Sequence, residues 1–416
     1  MSRRKTLEKA ENSLLPLIQY KGADQGHEWP TRLLLWFLKR ISSVYGAVVQ
    51  IRLFLFNTGI LRRYPLGCQV ISVGNVTVGG TGKTPMVEML ARELTAQGRK
   101  VAILSRGYRK KESGFWKRLS EKFLVGAENQ KPRIVSDGKR LLLDSEMSGD
   151  EPYMLATNLP DVVVLVDKDR VKSGRYAVRH FGCDTLLLDD GFQYQRLLHR
   201  RDLLLIDRTN PFGNGNVLPR GILREPARNI ERAQFVCITK ARGGDTAELR
   251  REIRQLNPTC GIMECNHDPT ALVGAFTRER FPLEKLRGLR IMAVSGIAAP
   301  LSFEQSLERL GAEILERRHF ADHHRFSQQE IIDLVNQAGS LHADAIVTTE
   351  KDAVRMTRID RCAVPVYFLR IEVHFLRGDE EFRRVIEEVT FASDVPGGKK
   401  SRQAEQTASS LLPAEL

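Results

Sequence analysis

From Gln69 onward the chain alternates short, continuously apolar runs with longer amphipathic stretches. The runs Val70 to Val73, Val101 to Leu104, Val162 to Val166, Thr185 to Leu188 and Leu203 to Ile206 are rich in Val, Ile and Leu. Runs without polar alternation predict strands buried on both faces, and helical stretches between them predict a parallel sheet covered by helices. A three-layer α/β/α domain is therefore expected over residues 67–232. Further runs at Phe235 to Ile238, Arg290 to Val294, Ala345 to Val347 and Val364 to Phe368 alternate with helical stretches at 302–310 and 328–337. They predict a second, smaller α/β lobe over residues 233–393.

Three segments stand outside this alternation. Residues 32–61, within a first segment of residues 1–66, mix Leu33, Leu34, Leu35, Trp36, Phe37, Leu38 and a second group, Leu53 to Phe56, with Arg32, Lys39, Arg40, Arg52, Arg62 and Arg63. No uninterrupted apolar run reaches the ~20 residues that cross a bilayer. The pattern fits an amphipathic helix, either lying in a membrane interface with its bases toward anionic headgroups or packed on the protein core. Residues 109–140, rich in Lys, Arg, Gly and Glu, read as an irregular surface excursion with Phe115, Trp116 and Phe123 available to dock locally. Residues 394–416 lack apolar periodicity and are expected to form a disordered tail.

Charge narrows the partners. The 416 residues carry 64 Lys plus Arg against 51 Asp plus Glu, a formal +13, which favours phosphate-rich ligands or an anionic membrane surface. No recognisable nucleic-acid-binding module accompanies that charge, so nucleic acid is not an expected partner. The six cysteines form no CxxC pair, as expected of thiols in a reducing cytoplasmic setting. Cys260, Cys265 and His267 lie close together, but their spacing is irregular and a fourth zinc ligand is missing. The basic N-terminus runs into Glu8 and Glu11 rather than an apolar core, unlike a secretory signal.

The chemistry concentrates where the first apolar run enters Gly74-Asn75-Val76-Thr77-Val78-Gly79-Gly80-Thr81-Gly82-Lys83-Thr84-Pro85, followed by the helical Met86 to Ala91. Strand, glycine-rich loop, Lys-Thr and helix together predict a P-loop. Residues Thr77, Val78, Gly79, Gly80, Thr81 and Gly82 turn backbone amides toward phosphates, Lys83 reaches the β and γ phosphates, and Thr84 holds Mg2+. Thr77 replaces the first glycine of the general pattern. The acidic pair Asp189-Asp190 ends a neighbouring strand, where a nucleotide site places its metal-associated carboxylates. Phosphoryl transfer also needs a proton acceptor, and both Gly149-Asp150-Glu151-Pro152 and Phe320-Ala321-Asp322-His323-His324 offer candidates.

Taken together, GNVTVGGTGKTP at 74–85, SRGY at 105–108, GDEP at 149–152, DDGFQ at 189–193, LPRGILREP at 218–226, FADHH at 320–324 and TTEKD at 348–352 resemble one family, the tetraacyldisaccharide 4'-kinases. The resemblance covers most of the chain, and Thr77 agrees with that family's own P-loop. It implies an ATP-dependent kinase that phosphorylates the 4'-hydroxyl of a lipid A disaccharide precursor at the cytoplasmic face of the bacterial inner membrane, with Mg2+ as cofactor. It implies Lys83 and Thr84 on ATP and Mg2+, Asp189 and Asp190 in the metal-associated motif, and Asp150 as general base supported by His323. Arg170, Arg224 and Glu225 fall on family motif positions, with the arginines expected near phosphates. It also favours the interfacial reading of residues 32–61. Because Asp150 and His323 belong to different predicted lobes, closure over bound substrates is expected to bring them together.

The competing class is a P-loop GTPase or nucleotide-dependent switch. Thr239-Lys240 and Glu350-Lys351-Asp352 each carry part of an [NT]KxD guanine-reading element, and neither is complete.

Overall fold

The computed structural model describes residues 29–107, 131–199, 201–359 and 362–390. The expected tail at 394–416, the residues before 29, and Phe115, Trp116 and Phe123 lie outside the described residues.

The chain opens with a long helix α1 (Trp29–Asn57) and enters the sheet through β1 (Gln69–Gly74). Next come α2 (Lys83–Ala96), β2 (Val101–Ser105), β3 (Arg133–Asp137), α3 (Ser145–Ser148), α4 (Asp150–Asn158) and β4 (Val163–Val166). The first half continues with α5 (Arg170–Phe181), β5 (Thr185–Asp189), β6 (Arg201–Asp207), β7 (Phe235–Thr239) and α6 (Ala247–Leu256). The long β8 (Gly261–Gly274), with β9 (Arg280–Phe281) beside it, leads to β10 (Arg290–Ser295), α7 (Pro300–Arg309), β11 (Glu313–His319) and α8 (Gln328–Ser340). The elements β12 (Ala345–Thr349), α9 (Glu350–Ala353), β13 (Val366–Arg377) and α10 (Asp379–Thr390) follow.

The strands form one sheet in the order β11-β10-β12-β13-β8-β7-β6-β1-β5-β2-β4-β3, with β9 paired to β8. Alternation along each strand divides the side chains between two faces. Ile71, Val73, Leu187, Leu203 and Leu205 meet Met86, Leu90 and Leu94 of α2 and Val385 of α10. On the other face, Val70, Leu186 and Leu188 pack with Val171 and Ala177 of α5, while Leu204 and Ile206 join Leu249 and Ile253 of α6. This is the expected three-layer arrangement. The far end repeats it: Met292, Val294 and Ile346 face α8, and Ile291, Ala293 and Val347 face α7.

The sheet is not wholly parallel. β3 runs antiparallel to β4, and β13 runs antiparallel to β8 along most of its length. A strand within 133–137 also departs from the surface excursion expected at 109–140. The two halves meet without a break in hydrogen bonding: β7 pairs in parallel with β6 and with the start of β8, so the strand beginning at 235 lies in the P-loop half. The β8–β13 ribbon then carries the sheet into the second half.

Candidate functional site

The site is built at the ends of β1, β5 and β12 and the start of α4. β1 is buried throughout and ends at Gly74, where a Cβ would sit 2.6 Å from Phe192 Cβ, so only glycine permits the chain to turn there. The loop that follows is tied to a second loop: Val78 N donates to Ile222 O at 2.8 Å, Thr77 bridges Leu223, and Arg224 N donates to Val76 O at 2.7 Å. Gly79 and Gly82 take φ of 115° and 80°, the left-handed region that favours glycine. Space opens around Gly79 and Gly80, whereas the His267 imidazole from β8 covers Gly82, its Nε2 3.3 Å from Gly82 O.

Lys83 begins α2. Its Nζ donates to Asn75 Oδ1 at 3.2 Å and lies 3.4 Å from Asp190 Oδ1. Asp190, at φ 56°, also accepts from Arg224 Nη1 at both oxygens, 2.8 Å at Oδ1 and 2.7 Å at Oδ2. Burial raises the Asp190 carboxyl, but Lys83 and Arg224 outweigh it and hold the group below the usual carboxylate range. Asp189 differs. It is buried at the end of β5, accepts a 3.3 Å bond from Ser105 Oγ, and is pushed up to about 6 by burial and by the charges of Glu151 and Asp190. Arg170 Nη2 donates to the backbone oxygens of Asp189 and Asp190 at 3.0 and 3.5 Å, so it braces the acidic pair from behind. Glu225 is almost fully buried, accepting from Gln193, Asn229 and Arg232 at 2.7–2.9 Å. It anchors the 218–226 loop rather than facing the P-loop opening.

The protein leaves donors for a group from outside. Asn75 Nδ2 and Thr81 Oγ1 are buried with no partner among the described residues, beside a loop in which Gly79 and Gly80 face open space. That fits phosphate oxygens. Asp189, a buried carboxylate without full compensation, and the Thr84 hydroxyl beside Lys83 fit Mg2+ carried by a nucleotide. Among the described residues, no group of three or more His, Cys, Asp or Glu could hold a metal by itself.

Asp150 and His323 are brought together. The Asp150 carboxylate, at the first position of α4, lies 3.1 Å from His323 Nδ1 and accepts from Arg355 Nε at 2.8 Å and Arg325 Nη2 at 3.2 Å. Burial raises Asp150, and His323, Arg355 and Arg325 together outweigh it, keeping the carboxyl below its ordinary value. The structure thus sets these two residues, from the two halves of the sheet, in direct contact. The reason is a set of ion pairs between the halves: Lys351 Nζ to Glu151 at 2.6 Å, Arg355 to Asp150, and buried Arg370 to both Glu88 of α2 and Glu350 of α9. Glu151, beside Asp150, feels the charges of Lys83 and His323, and Asp189 feels Glu151, so the phosphate loop and the Asp150–His323 pair share one electrostatic neighbourhood. The sequence reading missed Arg325, Arg355, Lys351 and Arg370, although Lys351 lies inside the TTEKD segment it singled out. Asp352 is consumed internally by Gly296 N, Thr349 Oγ1 and Arg355, so it is not available to read a guanine.

Helix α1 touches this apparatus. Ser42 Oγ donates to Val217 O at 2.8 Å, Tyr45 OH donates to Arg224 O at 2.9 Å, and Gln50 Nε2 donates to Asn229 Oδ1 at 3.0 Å. Trp29, Leu33, Phe37, Ile41, Val44, Val48, Ile51 and Phe54, spaced three or four residues apart, stay exposed. Leu35, Ser42 and Phe56 are buried on the opposite side, so α1 packs one face on the protein and leaves an apolar stripe uncovered. Among the described residues, no helix is long and apolar enough to cross a membrane.

Comparison with known proteins bears on what this arrangement serves. The family model described as "Tetraacyldisaccharide-1-P 4'-kinase" matches residues 34–390. The tetraacyldisaccharide 4'-kinase of Anaeromyxobacter sp. (strain K) is 38% identical over 356 residues, covering 85% of this chain and 90% of that protein. That of Halothermothrix orenii is 33% identical over 372 residues, covering 85% and 92%. Among solved structures, Aquifex aeolicus LpxK in complex with ATP has a TM-score of 0.66 at 28% identity, covering 86% of this chain and 100% of that one.

Proposed function

Since the chain belongs to the tetraacyldisaccharide-1-P 4'-kinase family, we infer that it transfers the γ-phosphate of ATP to the 4'-hydroxyl of a tetraacyldisaccharide 1-phosphate, a lipid A precursor. The observation that supports the reading is that Glu151, next to the Asp150–His323 pair, feels the charge of the P-loop Lys83, so a phosphate cradle and a proton acceptor share one neighbourhood. The acceptor oxygen attacks the γ-phosphorus, the bond to the ADP oxygen breaks, and the hydroxyl proton passes to Asp150. A loose phosphoryl-transfer transition state leaves that proton in place until late, so a carboxylate of low proton affinity serves as the base. Asp150 stays ionised because Arg355, Arg325 and His323 outweigh its burial.

Lys83, held between Asn75 and Asp190, meets the charge on the transferring phosphoryl group, and Arg224 fixes Asp190 beside it. Thr84 and Asp189 would hold Mg2+ carried in with the nucleotide, and the ion would supply positive charge to offset that of the phosphates. Arg170 orients the acidic pair.

The exposed apolar stripe of α1 lies on a helix that carries Arg32, Lys39, Arg40 and Arg52, with Arg40 stacked 5.1 Å from the Trp36 ring. We assign it to the membrane interface at the cytoplasmic face of the inner membrane, where the lipid substrate resides. Its hydrogen bonds to Val217 O and Arg224 O would hold the P-loop strap close to that surface.

The test is transfer of labelled γ-phosphate to a tetraacyldisaccharide 1-phosphate in detergent micelles. Label on the lipid with ATP, absent with Lys83→Ala and with GTP as donor, is expected. Nucleotide hydrolysis without labelled lipid, above all of GTP, would overturn the assignment in favour of a nucleotide switch.

A further inference from the structure

Behind the Asp150–His323 pair stands Arg355, three residues beyond the TTEKD segment, its side chain 1% exposed. Its Nε donates to Asp150 Oδ2 at 2.8 Å, its Nη1 donates to Asp352 Oδ1 at 3.0 Å and Gly296 O at 3.1 Å, and its Nη2 lies 3.1 Å from His323 Nδ1. Asp352 is itself immobilised, fully buried and accepting from Gly296 N at 3.0 Å and Thr349 Oγ1 at 2.7 Å. The end of β12 thus holds Asp352, Asp352 holds Arg355, and Arg355 holds both members of the pair. Arg370, the other buried arginine between the halves, grips Glu88 and Glu350.

We propose that Arg355 is the positioning residue of the proton-accepting pair, fixing the Asp150 carboxylate and the His323 imidazole in one geometry in either protonation state of Nδ1. A guanidinium donates and never accepts, whereas an imidazole nitrogen does one or the other according to its proton. When Nδ1 carries hydrogen it donates to Asp150, and when it does not it accepts from Arg355 Nη2. Nδ1 has a partner 3.1 Å away in either state, so the ring need not turn when the proton moves. The planar fork of arginine reaches both groups at once, and the single ammonium of lysine cannot.

The charged groups facing Asp150 come from every neighbouring element. They are His323 and Arg325 in the loop after β11 and Arg355 beyond α9, while Asp322 beside His323, Asp352 on Arg355, and Glu151 on α4 with its partner Lys351 and the charge of Lys83 stand next to them. Of these, Arg355 is the most deeply buried cation in direct contact, and its loss leaves the burial of Asp150 less opposed.

This inference rests on the reading of Asp150 and His323 as the proton-accepting pair. The experiment measures γ-phosphate transfer to the lipid acceptor against pH for full-length wild type, Arg355→Met, Arg355→Lys and Asp150→Asn, with ATP affinity and urea midpoint on each preparation. For Arg355→Met, kcat is expected to fall on the order of 100-fold, as for a reacting group displaced by about 1 Å. The KM for ATP should be nearly unchanged and the acid limb of the kcat profile should move to higher pH. Arg355→Lys should return the acid limb toward its wild-type position while recovering only part of kcat. An unmoved acid limb in Arg355→Met, or wild-type kcat in Arg355→Lys, overturns the proposal. If Arg355→Met does not fold, the lysine variant decides alone, through kcat. Failure of the underlying reading looks different: Asp150→Asn would then turn over normally.

Discussion

Replacing Asp189 by Asn should stabilise the nucleotide-free protein above neutral pH while removing its turnover. The carboxyl is lifted from 3.8 to about 6, first by burial and then by Glu151 and Asp190, with Lys83 and Arg170 opposing only in part. A group whose folded pKa exceeds its unfolded value favours the folded state only while it is protonated. Stability is therefore lost as pH rises from the unfolded value through the folded one. At about 1.4 kcal/mol per unit, this shift costs about 3 kcal/mol once both states are ionised. Asn is neutral throughout and can still accept from Ser105 Oγ, now 3.3 Å from Asp189 Oδ2. In urea unfolding with EDTA and no nucleotide, the mutant should exceed wild type by about 3 kcal/mol near about pH 8, shrinking to about 1 kcal/mol near about pH 4.5. Adding Mg2+ and ATP should close the gap, because the metal compensates the wild-type carboxylate and has no charge to meet in the mutant. A difference that does not change with pH, or a mutant less stable at the higher pH, would refute the reasoning.

Other expectations follow from the same geometry. Lys83→Ala removes the fixed charge beside Asp190, and kcat should drop by roughly 100-fold or more in the lipid phosphorylation assay. Asp150→Asn should bind ATP normally in equilibrium titration yet turn over ~100- to 10,000-fold more slowly, the range of a lost general base. Arg370→Met takes its arginine from part-buried Glu350 and leaves buried Glu88 only the exposed Arg92, so unfolding free energy should fall by about 3–5 kcal/mol. A loss well below that range would mean that the two carboxylates become neutral instead. Phe37→Ser with Val48→Ser alters only exposed positions on α1 and should weaken partitioning onto anionic vesicles without moving the urea midpoint. Unchanged partitioning would remove the interfacial role.

Local pattern was sufficient where the physics is local. Buried strands announce themselves by continuous Val, Ile and Leu, and β1, β2, β4, β5, β6, β7, β10 and β12 all fall on runs legible in the sequence. The P-loop is legible for the same reason, since strand, glycines, Lys83 and helix are consecutive. β8 was not, because Glu264, Asn266, His267, Asp268 and Pro269 break its apolar pattern, and its strand form comes from pairing with β13 rather than from propensity. β11 was missed too: Glu316, Arg317, Arg318 and His319 give an edge strand a polar sequence. The 218–226 loop was recognised as a motif, yet its work of strapping Thr77 and Val78 and receiving α1 appears only in three dimensions.

The sequence by itself determined the layered α/β architecture, the phosphate loop and the residue types available for chemistry, because each depends on neighbours within a few positions. Only the tertiary structure decided which charges meet. Asp150 and His323 stand 173 positions apart, and Asp150 and Arg355 stand 205 apart. Many arginines in a chain of this composition could have served that carboxylate, and no periodicity selects among them. The choice is made by where the continuous sheet sets β12 against α4, and by the cost of burying a carboxylate without a cation, which only Arg355, brought there by the fold and held by Asp352, meets from the protein interior.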